Sequence, residues 1–509
     1  MWKWDWAITG MSVNKRKGKV KLMNRASGVL MHVSSLFGDY SVGSFGRAAQ
    51  YFIDFLADSG FSYWQVLPFN MADDCNSPYK SFGAFSGNPY FIDLETLHEK
   101  GLISVSELMA SRQRTPYSCE FERLSKERMS LLRAAASRVN KSEKARIAEF
   151  IAAHPSVADF CRFMALKEAN DGAEWIDWIT DSYSEEALFA WQFIQYEFCC
   201  QWQTIRRYAN ERGVKIIGDI PIYVAYDSSD VWANRADFQL NEDGRPTAVA
   251  GVPPDYFSED GQLWGNPLYN WDHMAVDGYA WWTARMNYML ELFDGVRIDH
   301  FRGRESYWSV PADAKTAKEG KWVKGPGLPF VQHLRDLAGE QLIIAEDLGD
   351  ISEEVVELVK ESGFPGMRVL QFAFSGDADS PHLPHNYIRN CVAYTGTHDN
   401  NTLLGFMWEQ DDSARKLVTE YCGYEGDDWD CSYDALIRTM LASHAGLVIL
   451  PIQDVLHYGS DTRMNIPGKP EGNWRYRITK EQLDGIDRRN YRRLNALYAR
   501  VHKGREVRE

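Results

Sequence analysis

Eight short apolar runs recur along the chain, at 28–33, 63–68, 214–220, 295–299, 342–346, 367–372, 391–395 and 447–451. Stretches with helical spacing lie between most of them, as at 48–58, 330–337 and 352–360. A parallel strand buried on both faces reads as a continuous apolar run, and the chain must cross over, usually through a helix, before the next one. Eight such strands alternating with helices predict an α/β fold, a (β/α)8 TIM barrel.

The spacing of the runs adds detail. The last five follow one another at the intervals of ordinary strand–helix units. About 145 residues separate the second run from the third. An insertion at about 97–183 reads as a helical subdomain, because Val157, Phe160, Cys161 and Met164 fall at i, i+3, i+4 and i+7, with Ile147, Phe150 and Ile151 upstream. A second insertion, at about 225–275, is rich in Asp, Asn, Gly and Pro and reads as a loop-rich subdomain. No repeat or low-complexity segment interrupts the chain. The reading is one catalytic barrel over 1–509, ending near Tyr458, with a last helix outside and no C-terminal β-sandwich domain.

Three of the runs end in acids just before a turn: Asp299 in Gly295-Val-Arg-Ile-Asp, Glu346 in Leu342-Ile-Ile-Ala-Glu, and Asp399 shortly after the run 391–395. A parallel barrel presents its functional side chains from the C-terminal ends of several strands at one mouth. Two acids suffice to cleave a glycosidic bond, and about 5 Å between them is the spacing for a reaction with retention. Strand alternation puts Arg297 and Asp299 on one face, where the guanidinium would keep the acid ionised and aimed, as a nucleophile requires. The rival is a structural Arg–Asp pair at a strand end. Of the adjacent Glu346 and Asp347 only one can face the barrel axis. Glu346 reaches further, and a partly desolvated acid near Asp299 would stay protonated near neutrality, as a general acid must. The rival places Asp347 inward. Asp399 would hold ring hydroxyls and His398 would donate to them, the rival being a cap on the following helix. Asp219, next to last in the third run, would support Arg297 from the neighbouring strand.

The formal net charge of -15 argues against nucleic acid or an anionic membrane as partner. Eighteen Trp and 25 Tyr suit a cleft that stacks sugar rings, though most Trp serve cores. The eight cysteines form no Cys-x-x-Cys pair, so they read as reduced core thiols. No His-rich metal motif, phosphate-binding Gly loop or long apolar span occurs. The N-terminal residues lack the apolar core of a signal peptide, and a cytoplasmic enzyme is expected.

Long segments in order then resemble one family. They are Ser77-Pro-Tyr-Lys-Ser-Phe-Gly-Ala-Phe-Ser-Gly-Asn-Pro-Tyr90, Gly218-Asp-Ile-Pro-Ile-Tyr223, Gly251-Val-Pro-Pro-Asp-Tyr-Phe-Ser258 and Gly265-Asn-Pro-Leu-Tyr269. They continue with Gly295-Val-Arg-Ile-Asp-His-Phe-Arg-Gly303, Ala345-Glu-Asp-Leu-Gly349, Tyr394-Thr-Gly-Thr-His-Asp-Asn400 and Arg463-Met-Asn-Ile-Pro-Gly468. Together they resemble the amylomaltases, the 4-alpha-glucanotransferases of the alpha-amylase superfamily. The resemblance implies a retaining double displacement, with Asp299 as nucleophile, Glu346 as acid/base and Asp399 as stabiliser. It implies supporting roles for Asp219, Arg297 and His398, and cleft contacts from Tyr79 and Asn465. Asp255 and its Pro neighbours match a loop that leans over the cleft and favours a sugar acceptor over water. It implies maltooligosaccharides and alpha-1,4-glucans as substrates, and no cofactor or metal. A hydrolase using the same acids is the alternative, and a catalytically silent glucan-binding barrel would need one acid to be missing.

Overall fold

The computed structural model describes residues 23–72, 76–254, 258–375, 377–426, 428–469 and 471–501. Among the described residues twelve strands form two sheets. They are β1 (Ala26–Leu30), β2 (Tyr63–Gln65), β3 (Lys215–Ile220), β4 (Ala248–Val252), β5 (Gln262–Pro267) and β6 (Gly295–Ile298). After them come β7 (Ser306–Pro311), β8 (Lys321–Lys324), β9 (Leu342–Ala345), β10 (Gly366–Val369), β11 (Cys391–Tyr394) and β12 (Leu447–Pro451).

Eight of them close a parallel barrel in the order β1-β12-β11-β10-β9-β6-β3-β2. Each barrel strand lies on one of the eight apolar runs, so the (β/α)8 expectation holds. The strands are almost wholly buried. Burying such β-branched runs on both faces contributes roughly 25 cal/mol per Å² of apolar surface. Polar groups of non-adjacent barrel strands also pair: the Tyr394 hydroxyl of β11 donates to Gln65 Oε1 of β2 at 2.9 Å. Close packing extends to the backbone. A Cβ on Gly218, next to Asp219, would sit 2.3 Å from the Phe293 ring.

Between β2 and β3 stand four long helices, Phe121–Ser137, Lys141–Ala153, Pro155–Ala169 and Glu185–Glu211. The apolar pattern through 147–164 is split in two at His154, where Pro155 cannot continue a helix and opens the next one instead. The 225–275 segment holds more order than a loop-rich reading implies. Its strands β4 and β5 pair antiparallel, and β4 also pairs with β7, which pairs with β8. This four-stranded sheet, β5-β4-β7-β8, draws in residues from beyond β6. After β12 the described residues form helices and loops and no further strand. Cys75 falls outside the described residues. Of the other seven cysteines, Cys119, Cys161, Cys199 and Cys391 are core thiols and Cys431 is exposed. Among the described residues no helix is long and apolar enough to cross a membrane.

Candidate functional site

The site grows from a charged cluster at the C-terminal ends of β3, β6 and β9. Parallel register puts Asp219 of β3 beside Arg297 of β6. Arg297 Nη1 donates to both Asp219 oxygens, at 2.8 and 2.9 Å. The same Nη1 lies 2.9 Å from Asp299 Oδ1, and Nη2 lies 3.9 Å from Glu346 Oε2. One guanidinium thus touches three acids from three strands. Burial works against its charge, but Asp219 and Asp299 outweigh that and raise its pKa well above the ordinary value. Tyr79 closes the far side, its hydroxyl donating to Asp219 Oδ2 at 2.9 Å.

Glu346 is set by main chain as well as by charge. The β6 chain turns sharply at His300, which takes a left-handed conformation (φ 45°, ψ 54°). That geometry is costly for a residue with a Cβ and marks a site held by its surroundings. It aims the His300 N–H at Glu346 Oε2, at 2.6 Å. The Leu348 N–H donates to Oε1 at 2.9 Å. Burial is the largest influence on the carboxyl, Arg297 pulls it down, Asp299 pushes it up, and the result is about 7. Asp347 faces elsewhere. It accepts from the Met367 N–H at 2.6 Å and from Arg368 at 3.1 Å, tying β9 to β10. The reading with Asp347 inward is therefore excluded.

Asp399 sits on the loop after β11. Asn400 folds that loop by accepting from both the Thr397 N–H and hydroxyl, at 2.8 and 2.9 Å. The helix that follows, Leu403–Glu409, is capped by Thr402, which leaves Asp399 free of the capping role. Asn465 Nδ2 donates to Asp399 Oδ1 at 2.7 Å, and His398 Nε2 lies 3.3 Å from Oδ2. Burial raises its pKa, but His398 and Asn465 overcome that and hold it well below the usual carboxylate range. Conversely burial lowers His398, and Asp399 more than restores it. The Asn465 N–H donates to the His398 carbonyl at 3.1 Å, so one segment clasps both residues. The Tyr79 ring stacks on the His398 ring, centroids 5.1 Å apart and 13° between planes. This stack joins the Asp399 side of the mouth to the Asp219 side.

Eight of the nine candidates thus share one connected cluster: Tyr79, Asp219, Arg297, Asp299, Glu346, His398, Asp399 and Asn465. The ninth, Asp255, lies outside the described residues. Several contributors were given no role by the sequence. Arg463 donates to the Asp399 carbonyl at 3.1 Å. The Trp474 ring lies 6.0 Å from that of His398, and Trp264 of β5 stands edge-on to His300 at 5.1 Å. The wholly buried Asp454 accepts from the Leu403 N–H at 2.7 Å and from the Thr395 hydroxyl, pinning both ends of the Asp399 loop. Away from the mouth, folding also gathers Asp237, His273 and Asp277, whose ligand atoms lie within 4.8 Å of one another. The sequence showed no metal-ligand spacing because Asp237 is remote from the other two along the chain.

A family model described as 4-alpha-glucanotransferase matches residues 31–483. The chain belongs to the 4-alpha-glucanotransferase family. A 4-alpha-glucanotransferase of Clostridium butyricum is 42% identical over 494 residues, covering 92% of this chain and 100% of the relative. One of Thermus thermophilus is 42% identical over 483 residues, covering 90% and 96%. The solved amylomaltase of Streptococcus agalactiae in complex with acarbose is 35% identical, with a TM-score of 0.90, covering 94% of this chain and 100% of that one. As a member of this 4-alpha-glucanotransferase family the chain is a glycosyl-transferring enzyme, so the silent-barrel reading falls away.

Proposed function

We propose that this glucanotransferase moves alpha-1,4-glucan segments between maltooligosaccharides by a retaining double displacement at Asp299, Glu346 and Asp399. Asp299 attacks the anomeric carbon and forms a glycosyl ester. Glu346 gives its proton to the departing glycosidic oxygen. The freed chain end leaves, a second glucan enters, and Glu346 takes the proton from its attacking hydroxyl. Asp399 holds the ring hydroxyls and opposes the positive charge of the oxocarbenium-like transition state. The observation that carries this reading is the single guanidinium of Arg297 against Asp219, Asp299 and Glu346.

Environment supports the division of labour. Asp299 is in contact with a cation, as a carboxylate nucleophile needs. Glu346, pushed to about 7, carries a proton through much of the neutral range and can lose it, which a group alternating between acid and base requires. Asp399 is held ionised, opposite where positive charge develops. Tyr79, His398, Trp474 and Trp264 supply aromatic walls.

Transfer wins over hydrolysis only if a sugar acceptor is held while water is poorly placed. We assign that task to the segment from Pro253 through Asp255, which continues from strand β4. Incubation with maltotriose tests the whole reading. A ladder of longer glucans is expected, and shorter products alone would mean a hydrolase. Asp299→Asn should abolish the ladder while maltooligosaccharide binding persists, and shortening 253–260 should lower the ratio of transfer to hydrolysis.

A further inference from the structure

The three-residue cluster away from the barrel mouth has features of a ligand site. Asp237 ends a short turn of helix, Arg235–Asp237, at the base of the β4–β5 insertion. Only 6% of the residue is exposed, and its Oδ1 has no hydrogen-bond partner. Taking a carboxylate out of water without a donor or cation costs several kcal/mol, so such a group is normally paired or bound to a metal. That oxygen lies 3.7 Å from His273 Nε2. His273 is in the helix Trp271–Val276, and Asp277 is the residue that caps its C-terminus. Four residues apart, the two side chains share one helix face. Asp277 Oδ1 accepts from the Ala280 N–H at 3.1 Å, which fixes the carboxylate beside the turn into the next helix.

The scaffold holds the two elements together before any ligand arrives. The Asn270 N–H donates to the Asp237 carbonyl at 2.8 Å. Asn270 Oδ1 accepts from the His273 N–H at 3.2 Å, and its Nδ2 donates to the Ala236 carbonyl at 3.3 Å. One side chain therefore sets Asp237 and His273 in register.

We propose that Asp237, His273 and Asp277 form a binding site for a divalent first-row transition metal, of which Zn²⁺ is the best match. One imidazole and two carboxylates balance the charge of a divalent ion, and a water completes a four-coordinate shell. Ca²⁺ fits less well, since it takes six to eight oxygen ligands. The ion would tie the helix Trp271–Val276 to the base of the insertion that carries Trp264, at a distance from the reacting acids. Its proposed effect is to hold these two elements together, and this inference stands whether or not the proposed mechanism does.

The test uses the full-length enzyme stripped with EDTA and titrated with ZnCl₂, by calorimetry and by thermal melting. One saturable Zn²⁺ site is expected whose occupation raises Tm by a few degrees. His273→Ala and Asp277→Asn, both at exposed side chains, should each weaken that site at least tenfold and remove the rise, while leaving transfer activity in EDTA unchanged. Asp237→Asn should do the same to binding. CaCl₂ at equal concentration should give a smaller rise. Saturable binding of equal strength in the parent and in His273→Ala overturns the proposal, and so does a parent enzyme with no saturable site.

Discussion

Replacing Arg297 by Met keeps the unbranched apolar stem of the side chain and removes the guanidinium with its charge. The consequence can be worked from the contacts. Asp219 is fully buried and Arg297 is 6% exposed, so solvent screens little. The substitution strips two bonds of 2.8 and 2.9 Å from Asp219 and leaves it only the Tyr79 hydroxyl. It also leaves Asp219, Asp299 and Glu346 without their common cation. Removing one partner of a buried ion pair costs ~3–5 kcal/mol. At roughly 2.1 cal/mol/K per residue, 509 residues give an unfolding entropy near 1.1 kcal/mol/K, so Tm should fall by about 3–5 °C. Asp219→Asn should cost less, below about 2 kcal/mol, because Arg297 keeps Asp299 and Asn still accepts a hydrogen bond. The double variant should cost less than the sum of the two, with a coupling of about 1–3 kcal/mol. Thermal melting of the four proteins at neutral pH gives all three numbers. A Tm for Arg297→Met within 1 °C or so of the parent, or strict additivity, would refute the idea that this guanidinium neutralises the cluster.

Two further predictions concern catalysis. Glu346 must be protonated to release the leaving group, and its pKa is about 7. kcat/KM for maltotriose should therefore fall about tenfold per pH unit above that value. Glu346→Gln should lower the rate by roughly 10²–10⁴ and erase this limb; a limb unchanged in the variant means another group is the acid. Asn465→Ala removes the 2.7 Å bond to Asp399 Oδ1. A hydrogen bond to a charged group is worth about 1.5–3 kcal/mol, so kcat/KM should drop roughly 10- to 100-fold with Tm nearly unchanged. A loss of only Tm, with kcat/KM intact, would make Asn465 a structural residue.

The barrel was legible because its strands are buried on both faces, and that condition writes a continuous apolar run into the sequence. Cys391-Val-Ala-Tyr and Leu447-Val-Ile-Leu-Pro carry the signal in four or five residues. The four-stranded sheet left no such mark. Its strands contain Gly251, Gly265, Pro267 and Pro311 and are partly exposed, as in Lys321-Trp-Val-Lys. Their partners are distant in sequence: β4 pairs with β7 across the whole of β6. The acids of the site were legible for a related reason, since a strand end is a fixed address. What aims them was not. The His300 N–H, the Asn465 amide and the Asp454 carboxyl act through turns whose direction only the fold supplies. Asp237 meets His273 and Asp277 in the same way, through a contact that no local pattern encodes.

The three acids of the cluster are the same chemical group, and what separates them is their surroundings. Asp399 has nearly half its side chain exposed, Asp299 about a quarter, and Glu346 a tenth. Glu346 is the most buried of the three, and burial is the largest influence holding its proton. At Asp399 burial pushes the same way, but His398 and Asn465 both face the charged form and outweigh it. At Glu346 the two main-chain N–H donors also favour the anion, yet burial and the Asp299 charge prevail. That balance keeps its pKa near 7, neither at the ordinary carboxylate value nor far above it, so the group can serve as acid in one half-reaction and as base in the next. The donors come from a turn forced by the left-handed His300 and from the chain after β9. The strained turn at the end of β6 is therefore part of what sets the acid: relaxing it would withdraw the His300 N–H from Glu346 and push the pKa of that carboxyl further up.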